Sequence, residues 1–229
     1  MHTETTSHAL LEVIALDAAD AEAAAAGGAD RLEVVSDMAS DGLTPSVATV
    51  KEIAAATDLP QRVMLRANAG FQTGRDELRR LAEAASELAD AGAEGFVFGF
   101  LDAEASLDEE AVLELIEATS LPWTFHRAID NSLDPAEVWS TVNALPRLDA
   151  VLTAGAAGGV AAGMDVLLGR EPSHRLLVGG GLKLDHLDRL YDAGVRGFHI
   201  GSAARSGWDR PVEAEKVRLW RDRLDTLAG

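Results

Sequence analysis

The sequence predicts an α/β fold, a single-domain TIM (β/α)8 barrel, and three observations predict it. Eight short apolar runs alternate with amphipathic or Ala-rich stretches. Within the runs apolar residues mostly do not alternate with polar ones, which is how strands of a buried parallel sheet read. A unit of helix end, glycine turn and strand also repeats. Residues 90–99 (DAGAEGFVFG) recur as 192–201 (DAGVRGFHIG), with a weaker copy at 27–33 (GGADRLE). Eight units of about 28 residues fill a closed barrel. A doubly wound open sheet competes, but it would carry G-x-G-x-x-G after the first strand, and none stands there.

The expected elements follow in order. Residues 1–9 are polar at the start and read as a flexible tail, leaving 10–229 as the barrel domain. Strands are expected at 10–16 (LLEVIAL), 31–35 (RLEVV), 62–66 (RVMLR), 95–100 (GFVFGF), 123–127 (WTFHR), 149–153 (DAVLT), 176–179 (LLVG) and 197–200 (GFHI). Gly27-Gly28, Gly92 and Gly194 stand where a helix stops before a strand. Thr44-Pro45 predicts an N-cap followed by proline at the first helical position, and Asp134-Pro135 predicts another. Ser106 with Glu109 has the spacing of a capping box. The last helix, about 211 to 226, places Val217, Trp220 and Leu224 on one face. Trp139 and Trp220 read as packing residues, and Met38, Met64 and Met164 as scattered ones.

Composition narrows the function. The chain has 229 residues, no Cys, 20 Lys plus Arg and 38 Asp plus Glu, for a net charge of -18. Without Cys there is no disulfide, thiolate metal site, iron–sulfur cluster or Cys nucleophile. The acidic balance argues against nucleic acid and anionic membrane as partners, since both need clustered positive charge. Lys occurs only at Lys51, Lys183 and Lys216. Such a surface suits concentrated salt, and equally reflects a codon-biased genome. No apolar run approaches the roughly 18 residues that span a bilayer, and the start lacks the charged and apolar regions of a signal peptide. A cytoplasmic, soluble protein is the expectation.

A barrel places its site at the C-terminal ends of the strands. Polar residues in or just past those strands are therefore the candidates, because an unpaired buried charge is costly. Glu12 and Glu33 lie on adjacent strands as a carboxylate pair for acid–base work or for a cation, or as partners of a barrel arginine. Arg66 ends the third strand and suits an anion clamp. His126, Arg127 and Asp130 crowd the end of the fifth, with His126 as acid, base or ligand, Asp130 placed to orient it and Arg127 as a second cation. Thr153 follows the sixth strand with a hydroxyl. Gly181, Gly201 and Ser202 follow the seventh and eighth, where barrels often cradle phosphate. His199 is a second strand-borne imidazole. No H-E-x-x-H, G-x-S-x-G or P-loop pattern is present. The residues alone assign no metal ligands and establish no cofactor.

Several of these segments together resemble one family. Leu11-Glu12-Val13, Gly28-Ala29-Asp30-Arg31-Leu32-Glu33, Asp41-Gly42-Leu43-Thr44-Pro45-Ser46, Thr124-Phe125-His126-Arg127-Ala128 and Leu152-Thr153-Ala154-Gly155 resemble the copper homeostasis protein CutC family. The likeness runs from about residue 10 to past residue 200. It implies a TIM barrel, a cytoplasmic and often homo-oligomeric protein, and copper as the metal handled. By resemblance Glu12, Glu33, Arg66, His126, Arg127 and Asp130 match the polar residues of the family's barrel mouth. Where the family often carries cysteines, this chain has Ile14, Ala15 and Val35. Cuprous ion wants soft sulfur ligands, so the expectation is at most a looser cupric site on His126 and His199. The second expectation is a barrel enzyme acting on a small anion. There His126 and Glu33 exchange protons, Arg66 clamps the anion and the loops at 181 and 201–202 cradle phosphate.

Overall fold

A computed structural model of the chain describes residues 8–171 and 173–229. Eight parallel strands close into one barrel in sequence order. They are β1 (Leu10–Ala15), β2 (Arg31–Val34), β3 (Gln61–Met64), β4 (Gly95–Phe98), β5 (Trp123–Phe125), β6 (Leu148–Thr153), β7 (Leu176–Val178) and β8 (Gly197–Ile200). Around them lie α1 (Ala18–Gly27), α2 (Val47–Ala56), α3 (Arg75–Ala91), α4 (Glu109–Ala118), α5 (Pro135–Ala144), α6 (Val160–Leu168), α7 (Leu187–Asp192) and α8 (Ala214–Ala228). Each expected strand run coincides with an observed strand to within two residues at either end.

Local chemistry explains the helix ends. Gly28 and Gly92 close α1 and α3 at φ of 90° and 121°, and Gly194 follows α7 at 91°. These are conformations that cost a side-chain-bearing residue. Asp134 caps α5 with Pro135 at its first position, as expected. Two expected caps are corrected. Ser46, not Thr44, accepts from the Thr49 amide to start α2, because Thr44 is exchanging hydrogen bonds with the Arg66 backbone. Asp108, not Ser106, accepts from the Ala111 amide to start α4. Most of the expected tail lies outside the described residues. Of its last two positions, His8 is exposed and Ala9 fully buried.

The main core lies between barrel and helices, where Phe96, Phe98, Trp123, Phe125 and Phe198 are fully buried. The barrel interior is layered. Leu10, Ala150, Leu152 and Leu177 form one apolar cluster and Ile14, Val35, Met64 and Val97 another. A polar layer accompanies them. Glu12 stands in register with Arg31 on β2 and with His199 on β8. Arg31 donates to Glu12 at 2.5 Å and to Asp149 at 2.6 Å, and Arg62 reaches Asp149 at 2.8 Å. Three carboxylates or imidazoles facing inward would be costly alone; the two arginines neutralise the layer.

Candidate functional site

The C-terminal ends of the strands open on a cavity of about 340 Å³. Glu33, Arg66, His126, Arg127, His199, Gly201 and Ser202 all line it, so seven of the residues predicted from sequence meet there. Glu12 lies just beneath, reached through His199.

Glu12, His199 and Glu33 form one buried group. His199 Nδ1 lies 2.8 Å from Glu12 Oε1, and His199 Nε2 lies 3.8 Å from Glu33 Oε2. Burial pushes the Glu12 carboxyl up, but Arg31 and His199 outweigh it and hold it at about 2. Burial pushes Glu33 up to about 7, with Glu12 adding to the rise and His199, Arg31 and Arg66 opposing it. Burial disfavours the charged ring of His199, yet Glu33 and Glu12 raise its pKa above the ordinary value. The three groups thus divide the roles by environment: an ionised carboxylate, an imidazole whose charged form its neighbours favour and a carboxyl that exchanges its proton near neutrality. Glu33 Oε1 is buried and has no hydrogen-bond partner among the described residues.

His126 has the opposite character. The Ala128 amide donates to its Nδ1 at 3.2 Å, so the one ring proton of the neutral form sits on Nε2. Burial first, then Arg66 and Arg127, lower its pKa to about 3. It is a neutral hydrogen-bond donor at the mouth, stacked edge-on to Phe71 at 5.4 Å.

Four sequence expectations are corrected here. Asp130 does not orient His126. Its carboxylate accepts from Arg127 Nε at 2.9 Å, from the Thr153 hydroxyl at 2.5 Å and from the Ala154 amide at 2.9 Å. Thr153 is correspondingly a brace between two strand ends, with its hydroxyl spent on Asp130. Arg66 is near the cavity but not free to clamp. It donates to the carbonyls of Ser40, Asp41, Gly42, Ala69 and Gly70, pinning two loops at the mouth. Gly181 is exposed and does not line the cavity; Gly180 does.

Other contributors gave no sequence signal. Arg205 donates to the Ile14 carbonyl at 2.6 Å and to Asp20 at 3.0 Å, while Asp20 accepts from the Val212 amide at 2.7 Å. This buried pair ties the loop after β8 to the exit of β1. Trp208 lies against the Arg205 guanidinium, 4.8 Å from its ring centre, and forms part of the cavity wall. Met38 and Met64, read as scattered, both face the cavity.

A model of the CutC family matches residues 9–204. The chain belongs to the CutC family. A copper homeostasis protein cutC homolog of Caenorhabditis elegans is 43% identical over 142 residues, 61% of this chain and 55% of that protein. The chain thus spans little more than half the length of that relative. The homolog of Homo sapiens is 32% identical over 207 residues, 87% of this chain and 75% of that protein. A crystal structure of a putative copper homeostasis protein CutC from Streptococcus agalactiae superposes with a TM-score of 0.75 at 24% identity, over 85% of this chain and 98% of the other. That likeness shows the fold, and it agrees with the closed barrel. No described helix is long and apolar enough to cross a membrane.

Proposed function

We propose that this CutC-family chain takes part in copper homeostasis in the cytoplasm, the role carried in the names of its nematode and human relatives. We further propose that it acts through a small-ligand site at the barrel mouth and not as a tight carrier of cuprous ion.

The donor set carries this reading. Cuprous ion is held by soft sulfur, and the chain has no Cys. Among the described residues, one group offers three ligand atoms to a common ion: Glu12, Glu33 and His199. Glu12 is not available to an ion, because Arg31 holds one oxygen and His199 the other. Two donors remain, a carboxyl and an imidazole nitrogen. They are hard or borderline, and fewer than the three or four of a tight protein site. His126 lies outside the group. The residues do not fit tight copper coordination.

Chelator-competition titration with cuprous ion and calorimetry with cupric ion test this. The expected dissociation constants are weaker than about 1 μM. Stoichiometric binding well below that, abolished by Glu33→Gln or His199→Ala, would overturn the reading. Cells lacking the gene should become copper-sensitive and be rescued by the wild-type chain. An unchanged copper tolerance would sink the homeostatic role itself.

A further inference from the structure

Arg127 is held in place but not used up. Its Nε donates to Asp130 and its Nη2 to the Ala157 carbonyl at 3.2 Å. Its Nη1 has no partner among the described residues, and about a third of the side chain is exposed, at 34%. The guanidinium lies flat against Gly180, where a Cβ would come within 2.7 Å of Arg127 Cζ. Glycine there leaves room for the planar group, and Asp130 fixes its angle. A guanidinium with one edge bonded and the other open to a cavity is a built receptor for a carboxylate or phosphate.

Two further groups open on the same cavity. His126 Nε2–H is a neutral donor whose tautomer the Ala128 amide fixes. Glu33 lines the cavity, with its Oε2 3.8 Å from His199 Nε2 and its Oε1 buried without a hydrogen-bond partner among the described residues. Ile14, Met64, Leu152, Phe71 and Trp208 supply apolar walls. A cavity of about 340 Å³ suits a molecule of metabolite size.

We propose that the mouth is a proton-transfer site for a small anion bearing a carbonyl group: Arg127 binds the anionic end, His126 Nε2–H donates to the carbonyl oxygen, and Glu33 removes a proton from the carbon beside it. In the step, the C–H bond breaks and its proton passes to a Glu33 carboxylate oxygen. Its electron pair forms the carbon–carbon double bond, and the carbonyl π pair moves to the oxygen, which becomes an enolate held by His126. Return of the proton to the same carbon restores the carbonyl and gives exchange or epimerisation; where that carbon bears a hydroxyl, passage of the hydroxyl proton to the enolate oxygen and return of the carbon-bound proton to the former carbonyl carbon gives isomerisation. No oxidant, reductant or metal enters the balance. A neutral imidazole suits this task because it stabilises an enolate oxygen without giving up a proton beforehand. A carboxyl poised near neutrality suits the other, being available as base and able to return the proton. The anionic end is a carboxylate or a phosphate, and the two share the receptor chemistry. This rests on the small-ligand reading of the mouth but not on the copper role, so the copper titration and the exchange assay can fail separately.

The test is solvent exchange. The full chain is incubated in D2O with pyruvate in one arm and dihydroxyacetone phosphate in the other, and deuterium on carbon is followed by proton NMR. Exchange above the buffer rate in either arm is expected, and the productive arm tells carboxylate from phosphate. Glu33→Gln should lower it on the order of 100-fold or more. Arg127→Ala should raise the KM, and His126→Asn should lower kcat. Thermal melts confirm that each variant is folded. No exchange in either arm, or binding without exchange, overturns the proposal, as does full activity in folded Glu33→Gln.

Discussion

Replacing Glu33 by Gln should stabilise the fold in alkali and not in acid. The carboxyl is shifted from an ordinary 4.5 to about 7, chiefly by burial. At about 1.4 kcal/mol per unit, ionising it inside the fold costs about 3 kcal/mol. Its folded pKa lies above the unfolded one, so the native chain holds this proton more tightly. The contribution is fully present below 4.5 and is lost as pH rises through 7. Glutamine never ionises. The stability difference between variant and wild type should therefore grow by about 3 kcal/mol from pH 4 to pH 8, less whatever His199 loses when its neighbouring anion is removed. For a chain of this size that is a relative gain of roughly 6–12 °C in Tm. Denaturant and thermal melts of both proteins at pH 4, 6 and 8 read it. Because the titrating groups other than Glu33 are common to the two, the pH dependence of the difference reports Glu33 together with its effect on His199. A difference that stays flat, or that widens toward acid, would refute the buried, proton-holding Glu33.

Three further substitutions have distinct expected outcomes. Asp20→Asn leaves the buried Arg205 guanidinium without its counter-charge; a loss of roughly 3–5 kcal/mol in denaturant melts is expected, and a loss under 1 kcal/mol would remove the pair's role in holding the loop after β8. Gly180→Ala adds a methyl at φ of 90° against Arg127; it should cost roughly 1–3 kcal/mol and weaken phosphate binding in calorimetry, and unchanged binding would mean that Arg127 is not the receptor. Arg66→Lys replaces a planar fork on five carbonyls by a single ammonium; hydrogen exchange should speed up at 40–42 and 69–70 while the barrel strands stay protected, and uniform protection would show that Arg66 does not pin those loops.

The barrel was legible because its causes are local. Buried parallel strands force unalternating apolar runs, and the left-handed turns after α1, α3 and α7 call for glycine, so the pattern of β8 is already visible in Gly194, Gly197 and Gly201. The location of the site was legible for the same reason: a charge inside such a run, as at Glu12, Glu33 or His199, needs an explanation. What each residue does there was not legible, since roles depend on partners far along the chain. Arg66 looked like a clamp until its donors were found on loop carbonyls 24–26 residues away. Asp130, three residues from Arg127 and four from His126, could serve either; the hydroxyl of Thr153, 23 residues on, settles its direction. Asp20 and Arg205 meet across 185 residues and left no pattern at all. The caps went wrong where a better competitor stood nearby, as Asp108 did beside Ser106.

The most direct test is a crystal structure of the chain grown with phosphate or pyruvate, read for what sits between Arg127, His126 and Glu33. The expected result is an anion with oxygens within hydrogen-bond distance of Arg127 Nη1 and His126 Nε2, and no copper in the barrel. A copper ion held between Glu33 and His199, or a mouth that stays filled with water while the anion binds elsewhere, would contradict it.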